Sequence, residues 1–113
     1  MKVKISGEFK TLSYYDLKYI YGSLTDYSRV ELIDNSFTFV ADSYYESFRF
    51  YLTENGEFSV GGATITSLNN MFSLDESGYS CDFTSGVLTP GNEYTITLKV
   101  LDEKEAYVKV TEK

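Results

Sequence analysis

The chain has 113 residues, 42% of them hydrophobic and 17% aromatic, and its 17 acidic against ten basic side chains leave a formal charge of −7. This length makes one domain, residues 1–113, able to bury a core without staples, while the negative surplus opposes direct contact with nucleic acid or anionic lipid. A single cysteine, Cys81, excludes an internal disulfide, and the absence of histidine removes Ser-His-Asp and Cys-His pairs, ordinary zinc sites and an imidazole base.

In chain order, Met1 to Lys10 alternates, with Val3, Ile5 and Phe9 opposite Lys2, Lys4 and Ser6, and predicts an edge strand with Gly7 as a bulge. Residues 11–27 carry two signals. Ser13-x-x-Asp16 with Gly22 beyond it reads as a capped helix, whereas Leu17-Lys18-Tyr19-Ile20-Tyr21 has strand composition, and strand is the preferred reading. Val30 and Leu32 lead to a turn at Asp34-Asn35, after which Phe37, Phe39 and Ala41 alternate with Thr38, Val40 and Asp42. In Glu46 to Thr53, Phe48, Phe50 and Leu52 face inward and Ser47, Arg49 and Tyr51 outward. Asn55-Gly56 then predicts a tight hairpin onto Phe58 and Val60. Gly61-Gly62 precedes a short run, Ala63 to Thr66, and Ser67 to Gly78 reads as a long polar connection. Tyr79, Cys81 and Phe83 share one face of the next strand, with Cys81 as a small buried hydrophobe.

The stretch from Leu88 to Val100 combines a turn at Pro90-Gly91, then Tyr94, then apolar residues alternating with Thr95, Thr97 and Lys99. Leu101 to Glu105 turns the chain into a last strand with Ala106, Val108 and Val110 inward. The Leu88-x-Pro90-Gly91-x-x-Tyr94 pattern resembles the E–F corner of fibronectin type III and related immunoglobulin-like domains. The resemblance covers residues 28–112 and implies an all-β, immunoglobulin-like (fibronectin type III-like) antiparallel β-sandwich with an extra N-terminal strand. It implies strands A and B at residues 30–32 and 37–41 and strand C at 46–53. Tyr94 would be the corner tyrosine, its hydroxyl bonded back to the preceding loop, and a Phe such as Phe39 would take the place of the usual core Trp. Residues 1–27 fall outside it, as an N-terminal extension of the 28–112 core.

Little chemistry remains for catalysis. Paired carboxylates alone would need a cleft in a larger scaffold, Gly61-Gly62 does not open a helix as a phosphate loop does, and Asp75, Glu76 and Asp82 lack EF-hand spacing. The expectation is no enzyme, no cofactor and no metal. Charge distribution says more: from Phe50 through Leu98 there is no Lys or Arg, while Glu54, Glu57, Asp75, Glu76, Asp82 and Glu93 are all acidic. Such a half is either an ordinary solvated face or a surface for a basic partner.

Tyrosine is the second signal. Tyr14, Tyr15, Tyr44, Tyr45, Tyr51 and Tyr107 fall outside the inward positions, and such rings supply rigid contact area with a polar end, or merely cover the sheets. In the implied sandwich the loops of one end bring Tyr44 and Tyr45 to Asp75, Glu76, Asp102 and Glu103, which together form the expected protein-binding surface. The functional expectation is a non-catalytic protein-binding module directed at a basic partner, akin to the small phage or mobile-element proteins that block host nucleic-acid enzymes. The alternatives are a structural immunoglobulin-like domain of a virion, baseplate or surface appendage, and a carbohydrate-binding module that stacks sugars on Tyr44 and Tyr45. Self-association through the N-terminal strand is a further expectation. No apolar run is long enough to span a membrane and no signal-peptide core follows Met1, so the expected location is cytoplasmic or virion-associated.

Overall fold

The computed structural model describes residues 13–43, 45–53, 56 and 58–113. Two sheets face each other across one core. The strands are β1 (Tyr19–Gly22), β2 (Val30–Glu31), β3 (Ser36–Val40), β4 (Ser47–Tyr51), β5 (Ser59–Val60), β6 (Thr64–Ile65), β7 (Met71–Ser73), β8 (Cys81–Phe83), β9 (Glu93–Asp102) and β10 (Glu105–Glu112). One sheet runs β2-β1-β4-β8-β6, with β5 also on β4, and the other runs β3-β9-β10-β7. All pairs are antiparallel except β6 with β8, because the chain between those two leaves for the other sheet as β7 and returns without a hairpin. The expected strand Met1–Lys10 lies outside the described residues.

The period-two pattern determines which side chains meet between the sheets. Ile20, Phe48, Phe50, Val60, Ile65, Cys81 and Phe83 come from one sheet, and Phe39, Tyr94, Ile96, Leu98, Val108 and Val110 come from the other. Phe39 lies against Tyr94, with ring centroids 5.9 Å apart. Asp34 and Asn35 both adopt left-handed backbone, with φ of 53° and 58°, and this two-residue turn joins Ile33 to Ser36.

Residues 13–27 use both of their sequence signals. Ser13 caps a short 3-10 helix, Tyr14–Asp16, by accepting from the Tyr15 N–H, and the strand composition then forms β1. Tyr14, Leu17 and Ile20 join the core, so this segment completes a sheet. Tyr14, expected outside, is therefore buried. Tyr51 points outward as expected, yet it too is buried, because Tyr21 packs edge-on against it and the Arg29 guanidinium sits 5.2 Å above its ring.

Strand 36–40 pairs with β9, and strand 47–51 lies in the opposite sheet. Alternation reports the face of a strand and carries no information about its partner. Three further expectations change. The hairpin from β4 to β5 exists, with Tyr51 opposite Ser59, but its connection runs over residues 52–58 and Asn55 lies outside the described residues. The polar stretch 67–78 contains β7, docked on the β10 edge through Phe72 opposite Val108. Tyr79 precedes β8 and is 74% exposed, because the strand begins only at Cys81.

Gly22 marks the closest backbone approach in the sheet. A Cβ there would overlap the Ser47 carbonyl oxygen and lie 2.6 Å from the Phe48 Cα, and both belong to a strand paired on two sides. Gly22→Ala is expected to cost about 3 kcal/mol or more, since neither strand can withdraw without breaking its ladder. Urea unfolding that leaves the midpoint in place would show that β1 and β4 can separate freely.

Candidate functional site: an acidic end of the sandwich

The turn between β9 and β10 is the centre of the candidate site. Asp102 accepts from the Lys104 N–H at 2.8 Å, which closes the Glu103-Lys104 turn. The Glu103 carbonyl in turn accepts from the Tyr14 N–H at 2.9 Å, and the Tyr15 hydroxyl donates to the Leu101 carbonyl at 3.0 Å. These bonds fasten the 3-10 helix onto the turn.

The second acidic loop arrives through the other sheet edge. Asp75 exchanges both backbone hydrogen bonds with Gly61, and its Oδ1 accepts from the Ser77 N–H at 3.0 Å. Ser77 holds the Asp75 carboxyl below its usual range. Glu76 then reaches Lys104, with Oε2 3.5 Å from Nζ. This exposed pair contributes little stability. Lys104 Nζ also stands 5.7 Å from the centre of the Phe58 ring, which packs on Tyr14. Burial, reinforced by the Glu76 carboxylate and the charge of Asp75, pushes the Tyr14 phenol up to about 12.

Asp75, Glu76, Asp102 and Glu103 thus share one end of the molecule, together with Glu105, whose carboxylate accepts from the Tyr107 hydroxyl at 2.7 Å. Lys104 is the cation that the structure pairs among them. Tyr15 and Tyr79 are exposed beside these acids, at 58% and 74%. The end therefore presents several carboxylates with aromatic rings among them, a chemistry that fits cationic side chains.

No family model matches the chain, and neither a curated protein nor a solved structure is found similar to it.

Tyr45 does not join this end. Ala41 donates to the Asn92 carbonyl at 3.0 Å and accepts from Gly91, so the loop carrying Tyr45 sits at the start of β9. The acidic turn sits at its other end, and ten residues of strand separate the two by about 30 Å. The separation follows from β3, rather than β4, being the partner of β9. Tyr44 lies outside the described residues. Tyr45 is 70% exposed and adjoins Glu46, a buried carboxylate that accepts from the Ser23 hydroxyl at 2.7 Å and the Asp42 N–H at 2.9 Å.

The large exposed tyrosines at the acidic end are instead Tyr15 and Tyr79. Tyr15 was legible through its position after Ser13, whose capping signal turns the chain there, but nothing local ties Ser13 to residue 103. Asp82, weighed above as a calcium ligand with Asp75 and Glu76, accepts from the Ser80 hydroxyl at 3.2 Å. Among the described residues no group of three acidic or sulfur side chains converges as a metal site. Among them, too, no helix is long and apolar enough to cross a membrane.

Proposed function

We propose that this domain is a non-catalytic, immunoglobulin-like protein-binding module whose acidic end, built from the Asp75-Glu76 and Asp102–Glu105 loops, docks a basic protein surface. The observation that carries the reading is that two acidic loops far apart in the chain meet at one end, where Glu76 pairs with Lys104 of the Asp102-closed turn, with exposed Tyr15 and Tyr79 at their side. Clustered like charges repel one another and weaken the fold, so their collection at one end is best explained by a cationic partner. A phage or mobile-element protein that occupies the basic groove of a host nucleic-acid enzyme would have this chemistry. The immunoglobulin-like type is supported by the hydrogen bond from the Thr89 N–H to the Tyr94 hydroxyl. That same corner favours the second reading, a structural domain of a virion or appendage, which would use the sheets and not the acidic end.

A captured partner discriminates the two. Association is expected to slow as ionic strength rises beyond about 0.15 M, where the screening length falls to about 8 Å. Glu76→Lys with Glu103→Lys is expected to lower the on-rate about tenfold, and Tyr15→Ala to raise the off-rate chiefly, as a lost aromatic anchor does. Asp102 is left intact in these variants because it closes the turn. A complex that ignores both salt and charge reversal would leave the acidic end a solvated surface and favour the structural role.

A further inference from the structure

On the side of the sandwich formed by β2 and β3, two sheet edges lie close together, joined by the Asp34-Asn35 turn. Each sheet ends there, one on β2 and the other on β3. In an antiparallel strand the N–H and C=O of one residue point the same way, and successive residues alternate. Asn35 accepts from the Leu98 N–H, and Ala41 donates to Asn92, so the odd-numbered residues of this stretch turn toward β9. Ser36 turns away and exchanges both of its bonds with Ile33 across the turn. Thr38 and Val40 therefore direct their N–H and C=O groups at the free edge, where no backbone partner meets them among the described residues. Val40 is 55% exposed.

The strand itself carries none of the usual sequence protections of an edge. Ser36-Phe37-Thr38-Phe39-Val40 contains no charge, no proline and no bulge, and its composition favours pairing. Beside it lies a groove of about 480 Å³, where Val30, Ile33 and Phe37 offer apolar surface and Glu31 and Asp34 offer negative charge. An edge with free backbone groups, an apolar trough and an acidic rim accepts an extended segment with alternating apolar and basic residues.

This chain contains such a segment. Lys2-Val3-Lys4-Ile5-Ser6 alternates in the required way, and its two lysines carry a charge opposite to that of Glu31 and Asp34. We infer that β3 is an acceptor edge for residues 2–6 of a second copy, which add a strand beside Thr38 and Val40 and lodge Val3 and Ile5 toward the groove. Four backbone hydrogen bonds, a donor and an acceptor from each of Thr38 and Val40, define the contact. It uses a different face from the acidic end and stands independently of the function proposed above.

The test measures the mass of the whole chain by light scattering over a concentration series. Association that rises with concentration is expected, and it is expected to be lost in Val3→Asp with Ile5→Asp. Thr38→Pro is expected to abolish it as well. That residue's N–H faces away from β9, so the proline removes the outward donor and leaves the β3–β9 bonds in place. A second readout does not depend on that variant folding. A synthetic peptide of residues 1–10 is added to the Val3→Asp, Ile5→Asp chain, and the Thr38 and Val40 amides are expected to gain protection from hydrogen exchange. Three results would overturn the inference. These are a monomer at every concentration, a peptide that leaves both amides unprotected, and association that survives the Val3 and Ile5 changes, which would mean β3 pairing with β3 or contact through another face. A monomeric parent chain with a protected Thr38 amide would assign the segment to its own edge and equally exclude exchange between copies.

Discussion

Replacing Tyr94 with alanine is expected to remove about 3–5 kcal/mol of stability, a large part of what a domain of this size possesses. The ring is almost fully enclosed, at 1% exposure, and packs on Phe39. Its hydroxyl accepts from the Thr89 N–H at 2.8 Å. The loop that it anchors is a tight turn, with the Asn92 N–H donating to the Thr89 carbonyl at 3.1 Å. Pro90 presets the second position and Gly91, at φ 94°, occupies the third, which demands left-handed backbone. Gly91 also donates to the Ala41 carbonyl at 2.8 Å, so the corner holds the β3–β4 loop as well as its own strand. Tyr94→Phe separates the two contributions. It keeps the packing and orphans one backbone donor, for a loss of about 1 kcal/mol. Chemical denaturation of both variants measures the pair, and a midpoint unmoved by Tyr94→Ala would remove the corner from any account of this fold.

Stability is also expected to fall steeply above pH 9, with the Cys81 thiol as the main contributor. Cys81 is fully buried in β8, and burial pushes its thiol from 9.0 up to about 12, with the charges of Asp82 and Asp75 adding to the shift. The Tyr14 phenol moves the same way, from 10.0 to about 12. Both groups are neutral when protonated and are held in that form by the fold. Below pH 9 the folded and unfolded chains both carry these protons, and the stabilising contribution is complete. Between pH 9 and 12 the unfolded chain releases them while the folded chain retains them, so stability declines with rising pH. Raising the Cys81 thiol from 9.0 to about 12 corresponds to about 4 kcal/mol lost by pH 12. Cys81→Ala should lose much less of its melting temperature between pH 8 and pH 10.5 than the parent chain does, although it starts lower because of the cavity. The native thiol should also react slowly with alkylating reagents at neutral pH. Equal alkaline losses in parent and variant, or rapid labelling of the native protein, would place Cys81 outside the core.

The sequence by itself determined those properties that depend on neighbours along the chain. Strand composition and alternation marked Phe48 and Phe50, Cys81 and Phe83, Ile96 and Leu98, and Val108 and Val110 as inward pairs, and each pair is buried. The two tight turns were legible for the same reason: Asp34-Asn35 and Pro90-Gly91 are local conformational choices, made by residues that tolerate or preset the required φ. The Tyr94 corner spans only six residues and could be read whole. Tertiary structure alone decided which strand lies beside which. A phenylalanine in β3 buries its ring equally well whichever strand it pairs with, so nothing in residues 36–40 says that β9 is the neighbour and β4 lies across the core. That choice moved Tyr45 to the far end from Asp102. The same holds for the composition of the acidic end, where residues 14 and 103 meet through one backbone hydrogen bond. Such a contact is set by the closure of the whole sandwich, and no local pattern in either segment encodes it.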